Sequence, residues 1–128
     1  MYYLKRIAQY WRTWLTLSLI MTLCLIPAKD LQKIDLFKIS YQDLVVHLVM
    51  FFAFSTLLYH DLKRNTLQSQ NPAFLSLFVL SMSFLLGIST EMLQFVWLSI
   101  HRSASVTDFL FDLLGAALGI VYMRFIKR

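Results

Sequence analysis

The chain has 128 residues, enough for one domain, and 59% of them are apolar, against about 45–50% in a soluble domain. Charged residues make up 15%, and twelve Lys and Arg against seven Asp and Glu give a net charge of +5. This composition excludes an ordinary soluble domain. The basic residues flank apolar stretches instead of forming one stripe, so we expect the lipid bilayer as partner and no nucleic acid.

The first predicted element is the uncharged apolar segment from Trp14 to Ile26. It is short for a spanning helix, which needs about 20 residues, but residues 10–14 supply the remainder. Basic and aromatic residues precede it, as is typical of a bilayer interface. A signal-peptide cleavage motif is missing around Pro27, so we expect an uncleaved helix. Residues 29–42 fit either a short interfacial helix or an extended segment.

Three further apolar segments follow, at residues 43–59, 73–98 and 106–126, with a polar loop expected at residues 60–72. If the N-terminus lies inside, eight Lys and Arg fall on the inner side of the membrane and four on the outer side. The positive-inside rule then puts both termini in the cytoplasm. The sequence therefore predicts one domain, residues 1–128, with an all-α fold: an integral membrane bundle of four transmembrane helices.

In this topology, seven polar residues of the last three segments and their connections gather at the outer end of the bundle. They are Asp43, His47, Glu91, Gln94, Arg102, Asp108 and Asp112. Within each segment they are three or four residues apart, which puts them on one helical stripe. A charge at the centre of a spanning helix costs about 2.5–3.5 kcal/mol on insertion scales. We therefore expect a paired network that faces inward and forms a binding site.

Three glycines continue these stripes, and we expect them to serve helix packing: Gly87, Gly115 and Gly119. The spacing Gly115-x3-Gly119 lets a neighbouring helix approach closely, either within the chain or in a homodimer. Simpler roles stay open for some of the polar residues. Asp108 fits the capping box that begins at Ser105, and Arg102 fits a loop cation at the lipid headgroups.

These motifs together resemble the VanZ-like family of small integral membrane proteins over about residues 43–120. The resemblance rests on four pieces in order: Asp43-x3-His47, Glu91-x2-Gln94, Arg102 and Asp108-x3-Asp112-x2-Gly115-x3-Gly119. One departure is that Asp112 stands where the family usually has Asn. The resemblance implies a small multi-span protein of the bacterial cytoplasmic membrane. The founding member of the family is linked to low-level teicoplanin resistance, without an established biochemical activity.

Two kinds of function fit these residues best. The first is binding of an anionic phospholipid or lipid-linked cell-wall headgroup, because the N-termini of two helices and Arg102 make an anion site. The second is an enzyme that acts on a lipid-linked phosphate, with His47, Glu91 and Asp108 as candidate catalytic residues. We expect no cofactor, with a divalent cation held by the carboxylates and His47 as the alternative.

Two other functions stay open. A proton- or ion-coupled carrier would need polar groups along the whole path, and the predicted charges crowd one side of the membrane. A purely structural membrane subunit is the remaining alternative, and it predicts that Glu91→Gln changes folding alone.

Overall fold

The computed structural model describes residues 7–26, 42–65, 71–97 and 106–126. These residues form four α-helices and no strand: α1 (Trp11–Leu25), α2 (Gln42–Asn65), α3 (Pro72–Val96) and α4 (Val106–Phe125). The predicted all-α fold is therefore confirmed. By length and composition, α2, α3 and α4 are each able to cross a membrane, whereas α1 is a shorter apolar helix of 15 residues.

The predicted helix limits agree with the structure for α4, which begins at Val106, and for α3, which begins one residue early at Pro72. The start of α3 has a local cause. Asn71 caps it, since its side-chain oxygen accepts a 2.9 Å hydrogen bond from the N–H of Ala73. Pro72 occupies the first helical turn, where its missing N–H leaves no helix hydrogen bond unmade.

The predicted end of α2 at Tyr59 is wrong, because the helix continues to Asn65 through half of the expected loop. Asp61 is 3% exposed and accepts a 2.8 Å hydrogen bond from Thr13 on α1, so this polar residue belongs to the packed interface. The last turn ends with the exposed cations Lys63 and Arg64. Positive charge is favourable at the C-terminal end of a helix dipole, which supports the extra turns.

Side-chain contacts establish the directions of the helices. The contact between Thr13 and Asp61 joins the start of α1 to the end of α2. His47 and Asp112 join the first half of α2 to the first half of α4. Gln94, near the end of α3, donates a hydrogen bond to the backbone of the last turn of α1. Consecutive helices therefore run in opposite directions, and the starts of α2 and α4 share one end of the bundle with the ends of α1 and α3.

The most extensive packing in the described part of the chain joins α2 and α4. At Gly115, an added Cβ would lie 3.0 Å from the carbonyl carbon of Leu48 and 3.1 Å from its Cα. At Gly119, it would lie 2.7 Å from the carbonyl oxygen of Phe52. All three distances are shorter than the 3.4–4 Å of an ordinary van der Waals contact. The two glycines therefore let the backbones of α2 and α4 touch, which is the use that small residues have in membrane helices.

An apolar core fills the centre of the bundle, and apolar side chains also cover its outer surface. The buried cluster draws on all four helices: Ile20, Cys24, Met50, Phe51, Phe54, Leu58, Tyr59, Leu75, Val79, Ile120 and Met123. On α3, the outward-facing Phe74 and Leu77 are more than half exposed, at 61% and 65%. Such a broad apolar exterior is costly in water and is what a helix surface in contact with lipid requires.

Candidate functional site

The central feature of the site is a buried hydrogen bond between His47 on α2 and Asp112 on α4. The Nδ1 atom of His47 lies 2.8 Å from Oδ1 of Asp112, and the two side chains are 2% and 0% exposed. With Asp112 ionised, the carboxylate only accepts, and the imidazole Nδ1–H is then the donor. The backbone contact at Gly115, one turn further along α4, brings the two side chains within this distance.

The second carboxylate oxygen of Asp112, Oδ2, is buried and receives no hydrogen bond from the described residues. It lies beside Gly87 on α3, where an added Cβ would be 3.4 Å from Oδ2 and 3.1 Å from the ring of Phe109. The Phe109 ring also makes an edge-to-face contact with Phe84, at 5.4 Å between centroids. The Phe109 and Asp112 side chains therefore fill the space beside Gly87.

The polar residues of α3 lie at the same end of the bundle. Gln94 is 2% exposed, and its Nε2 atom donates a 3.0 Å hydrogen bond to the carbonyl oxygen of Cys24 on α1. Thr90 is also buried and donates to the carbonyl of Gly87 at 2.8 Å. Glu91 is half-buried in the last turns of the helix. In this arrangement Gln94 ties two helices together, and its amide is already occupied by a backbone acceptor.

The remaining predicted site residues are nearer the surface or outside the described part. Asp43 is exposed in the first turn of α2, and Asp108 is half-buried in the first turn of α4. Carboxylates at these positions interact favourably with the helix dipoles. Arg102 lies outside the described residues. The structure thus brings His47 and Asp112 into contact, whereas Asp43 stays exposed at the N-terminal end of α2.

A second buried carboxylate lies at the opposite end of the bundle, where hydropathy predicts a loop. The buried Asp61 accepts the hydrogen bond from Thr13, and His60 Nδ1 lies 3.5 Å from its other oxygen. The sequence contains a signal for this position. Asp61 continues the stripe formed by Phe54 and Leu58, which are both buried, at steps of four and three residues. The expectation that buried charge is confined to one end is therefore wrong.

The donor atoms of the site allow a limited range of chemistry. Among residues 7–26, 42–65, 71–97 and 106–126, no three His, Cys, Asp or Glu side chains are placed to hold a metal ion together. The His47–Asp112 pair provides an imidazole that is oriented by Asp112 Oδ1. It also provides a second carboxylate oxygen, Oδ2, which accepts no hydrogen bond from the described residues. Such a pair can recognise hydrogen-bonding groups, or it can hold an imidazole in position for proton transfer.

The fold and the site together define an α-helical transmembrane protein with a polar pair buried between two of its helices. A comparison with protein families matches residues 1–127 to the VanZ/LLP1 family, and the chain therefore belongs to that family. The resemblance to VanZ-like proteins predicted from residues 43–120 is confirmed, and the match extends over nearly the whole chain. No curated protein and no solved structure matches the chain.

Proposed function

We propose that this chain is a multi-pass protein of the bacterial cytoplasmic membrane that binds a phosphate-bearing headgroup in the outer leaflet. The headgroup belongs to a phospholipid or to a lipid-linked cell-wall precursor. The role that follows is maintenance of the cell envelope, with tolerance of teicoplanin-type glycopeptides as the phenotype that family membership suggests. In this proposal α1 is the fourth span and both termini are cytoplasmic.

The observation that carries the proposal is the burial of the His47–Asp112 pair between helices that contact lipid. Polar and ionisable groups inside a membrane are costly, and they normally mark a ligand or ion site. An apolar pair would pack α2 against α4 at lower cost if only structure were required. The pair lies in the second turn of each helix, one turn below N-termini whose dipoles attract an anion. Arg102, which precedes α4 in the sequence, adds a cation suited to phosphate.

A phenotype assay on His47→Gln and Arg102→Ala tests this proposal. The readouts are the amount of each variant in the membrane and the sensitivity of the host to glycopeptides and to other envelope stress. We expect normal amounts of protein together with lost tolerance. Ser89→Ala serves as the matched control, because Ser89 lies on the exposed face of α3 and bonds only to its own helix backbone, at Leu85.

Two results would contradict the proposal. If both variants are present at normal levels and keep full tolerance, the polar residues do not act on a ligand. If both variants disappear from the membrane while Ser89→Ala is unaffected, the polar residues hold the helices together and the protein is a structural subunit. Topology is tested separately with reporter fusions at both ends of the chain, which should be active only in the cytoplasm.

The same pair favours a second candidate function, an enzyme that acts on a lipid-linked phosphate. A carboxylate that accepts from Nδ1 orients the imidazole and selects its tautomer, which prepares the other ring nitrogen for general acid–base work. In this case His47→Gln should abolish turnover of a lipid phosphate by the purified protein. Asp112→Asn keeps an oxygen acceptor for His47 and should retain part of the activity. Headgroup binding without any phosphate release would exclude this alternative.

A further inference from the structure

Two hydrogen bonds hold the start of α1 against the end of α2. Thr13 donates to Asp61 at 2.8 Å, and the side chain of Asn65 donates to the carbonyl oxygen of Gln9 at 3.3 Å. On each side of the contact the two bonded residues are four positions apart, which is about one helical turn. The bonds therefore align these two antiparallel ends at the same height, at the end of the bundle opposite the buried polar pair.

The aligned turns carry three cations, and two of them lie on the same flank of the contact. Arg12 directly precedes Thr13, and a step back of one residue turns it by about 100° from the side that meets α2. Arg64 directly precedes Asn65 and is turned by the same angle from the side that meets α1. Because the helices are antiparallel, both turns lead to one flank, whereas Lys63 faces away from α1. We refer to Arg12 and Arg64 as the arginine pair.

Neither arginine forms an ion pair with a carboxylate in the part of the chain that the structure describes. Arg64 is exposed, and Arg12 is half-buried, with its Cζ atom 5.6 Å from the centroid of the Trp11 ring. Among the described residues, Asp61 is the one carboxylate at this end, and it is 3% exposed. It accepts its 2.8 Å hydrogen bond from α1, and His60 Nδ1 lies 3.5 Å from its other oxygen. The arginine pair therefore presents positive charge on the surface.

The position of the arginine pair suits the phosphate of a lipid. Trp11 is 58% exposed, and tryptophan side chains concentrate at the depth of the lipid headgroups. A guanidinium group binds phosphate through a planar fork of N–H donors. Basic groups between membrane helices at this depth bind anionic headgroups. A lipid with a net negative charge suits the pair better than a zwitterionic lipid, whose own ammonium group neutralises its phosphate.

We propose that the arginine pair binds the phosphate of an anionic phospholipid in the leaflet at this end of the bundle. The bound lipid bridges α1 and α2 and adds to the two hydrogen bonds between them. This site lies at the opposite end from the His47–Asp112 pair, so the inference does not depend on the proposed function.

Quenching of tryptophan fluorescence measures which lipid occupies this flank. The purified full chain carries Trp97→Phe, which leaves Trp11 and Trp14, both on α1. It is placed in phosphatidylcholine nanodiscs that contain a small fraction of phosphatidylglycerol or phosphatidylcholine with a nitroxide near the headgroup. A basic residue near the headgroups contributes about fivefold to the association of an anionic lipid. We expect labelled phosphatidylglycerol to associate at least about fivefold more strongly than labelled phosphatidylcholine.

Matched variants assign this preference to the arginine pair. Arg12→Gln and Arg64→Gln should each lower the preference for phosphatidylglycerol about fivefold. Lys63→Gln removes the same charge from the same turn of α2 but on the side away from α1, and it should keep the preference within about twofold. If Arg12→Gln fails to fold, Arg64→Gln carries the test against Lys63→Gln.

Three results would overturn the inference. If the wild-type chain shows no preference for phosphatidylglycerol, there is no anionic-lipid site at this end. If Lys63→Gln loses as much preference as Arg64→Gln, the lipid responds to total charge and no defined site exists. If the preference persists in both arginine variants, the lipid binds elsewhere. His47→Gln should keep the preference whatever its effect on glycopeptide tolerance, so the two proposals fail separately.

Discussion

Replacement of Gly115 by alanine should weaken the contact between α2 and α4 and disturb the site one turn away. The added methyl group would lie 3.0 Å from the carbonyl carbon of Leu48 and 3.1 Å from its Cα, against 3.4–4 Å for an ordinary contact. These are backbone atoms inside a helix, so no side-chain rotation relieves the contact. The helices must separate, and the 2.8 Å hydrogen bond between His47 and Asp112 must lengthen with them.

The expected loss of stability follows from three contributions. Overpacking of a well-packed interface typically costs about 1–3 kcal/mol. Weakening one hydrogen bond adds about 0.5–1.5 kcal/mol. Alanine favours helix over glycine by about 1 kcal/mol, which offsets part of the cost. The free energy of unfolding should therefore fall by about 0.5–3.5 kcal/mol.

Unfolding of the purified protein in mixed detergent micelles, titrated with a denaturing detergent, measures this change. Ala117→Val is the matched control, because Ala117 lies between the two glycines on the exposed side of α4. It should stay within about 0.5 kcal/mol of the wild type. Gly87→Ala should cost less than Gly115→Ala, since the Phe109 ring that it meets is able to rotate. Equal stability of Gly115→Ala and the wild type, or an equal loss in the control, would refute the backbone-contact argument.

Three further changes test the contacts that hold α1 and α3. Thr13→Val should lower the free energy of unfolding by about 1–3 kcal/mol, because the buried Asp61 loses its hydrogen bond. A double-mutant cycle with Asp61→Leu should show that the two losses are coupled, and purely additive losses would contradict this contact. Asn71→Ala should lower the free energy of unfolding by about 0.5–2 kcal/mol, because the helix cap is lost. Asn71→Asp keeps a capping oxygen and should match the wild type in the titration with denaturing detergent. Gln94→Leu should lower the free energy of unfolding by about 1 kcal/mol, because the hydrogen bond to the Cys24 carbonyl is lost. Gln94→Glu should lower it further, because a carboxylate is then buried. Thermal stabilities equal to that of the wild type would count against this contact.

Much of the fold could be predicted from the sequence, because helix limits in this chain follow local signals. The start of α4 at Val106 follows from the return to apolar residues after a polar turn, and the start of α3 follows from the Asn71-Pro72 pair. Hydropathy predicts an end of α2 at Tyr59, because it falls at His60, and it reflects only how well a residue suits contact with lipid. It does not detect a polar residue such as Asp61 that is buried against another helix.

The site was predictable at the level of helical faces and less so at the level of individual bonds. Spacing puts His47 and Asp112 on inward stripes, but which carboxylate meets the imidazole depends on how closely α2 and α4 approach, and Gly115 controls that distance. The partner of Gln94 could not be predicted from residue types, because its acceptor is a backbone carbonyl, a group that every residue has.

Two of the hydrogen bonds that α1 makes have a consequence for sliding of this helix along its own axis. Thr13 attaches the start of the helix to α2, and the carbonyl of Cys24 attaches its last turn to Gln94 of α3. An axial slip of α1 by one turn, about 5.4 Å, would break both bonds at once. Each released group would then face hydrocarbon or a mismatched neighbour. The two bonds therefore oppose a piston-like movement of α1 relative to α2 and α3.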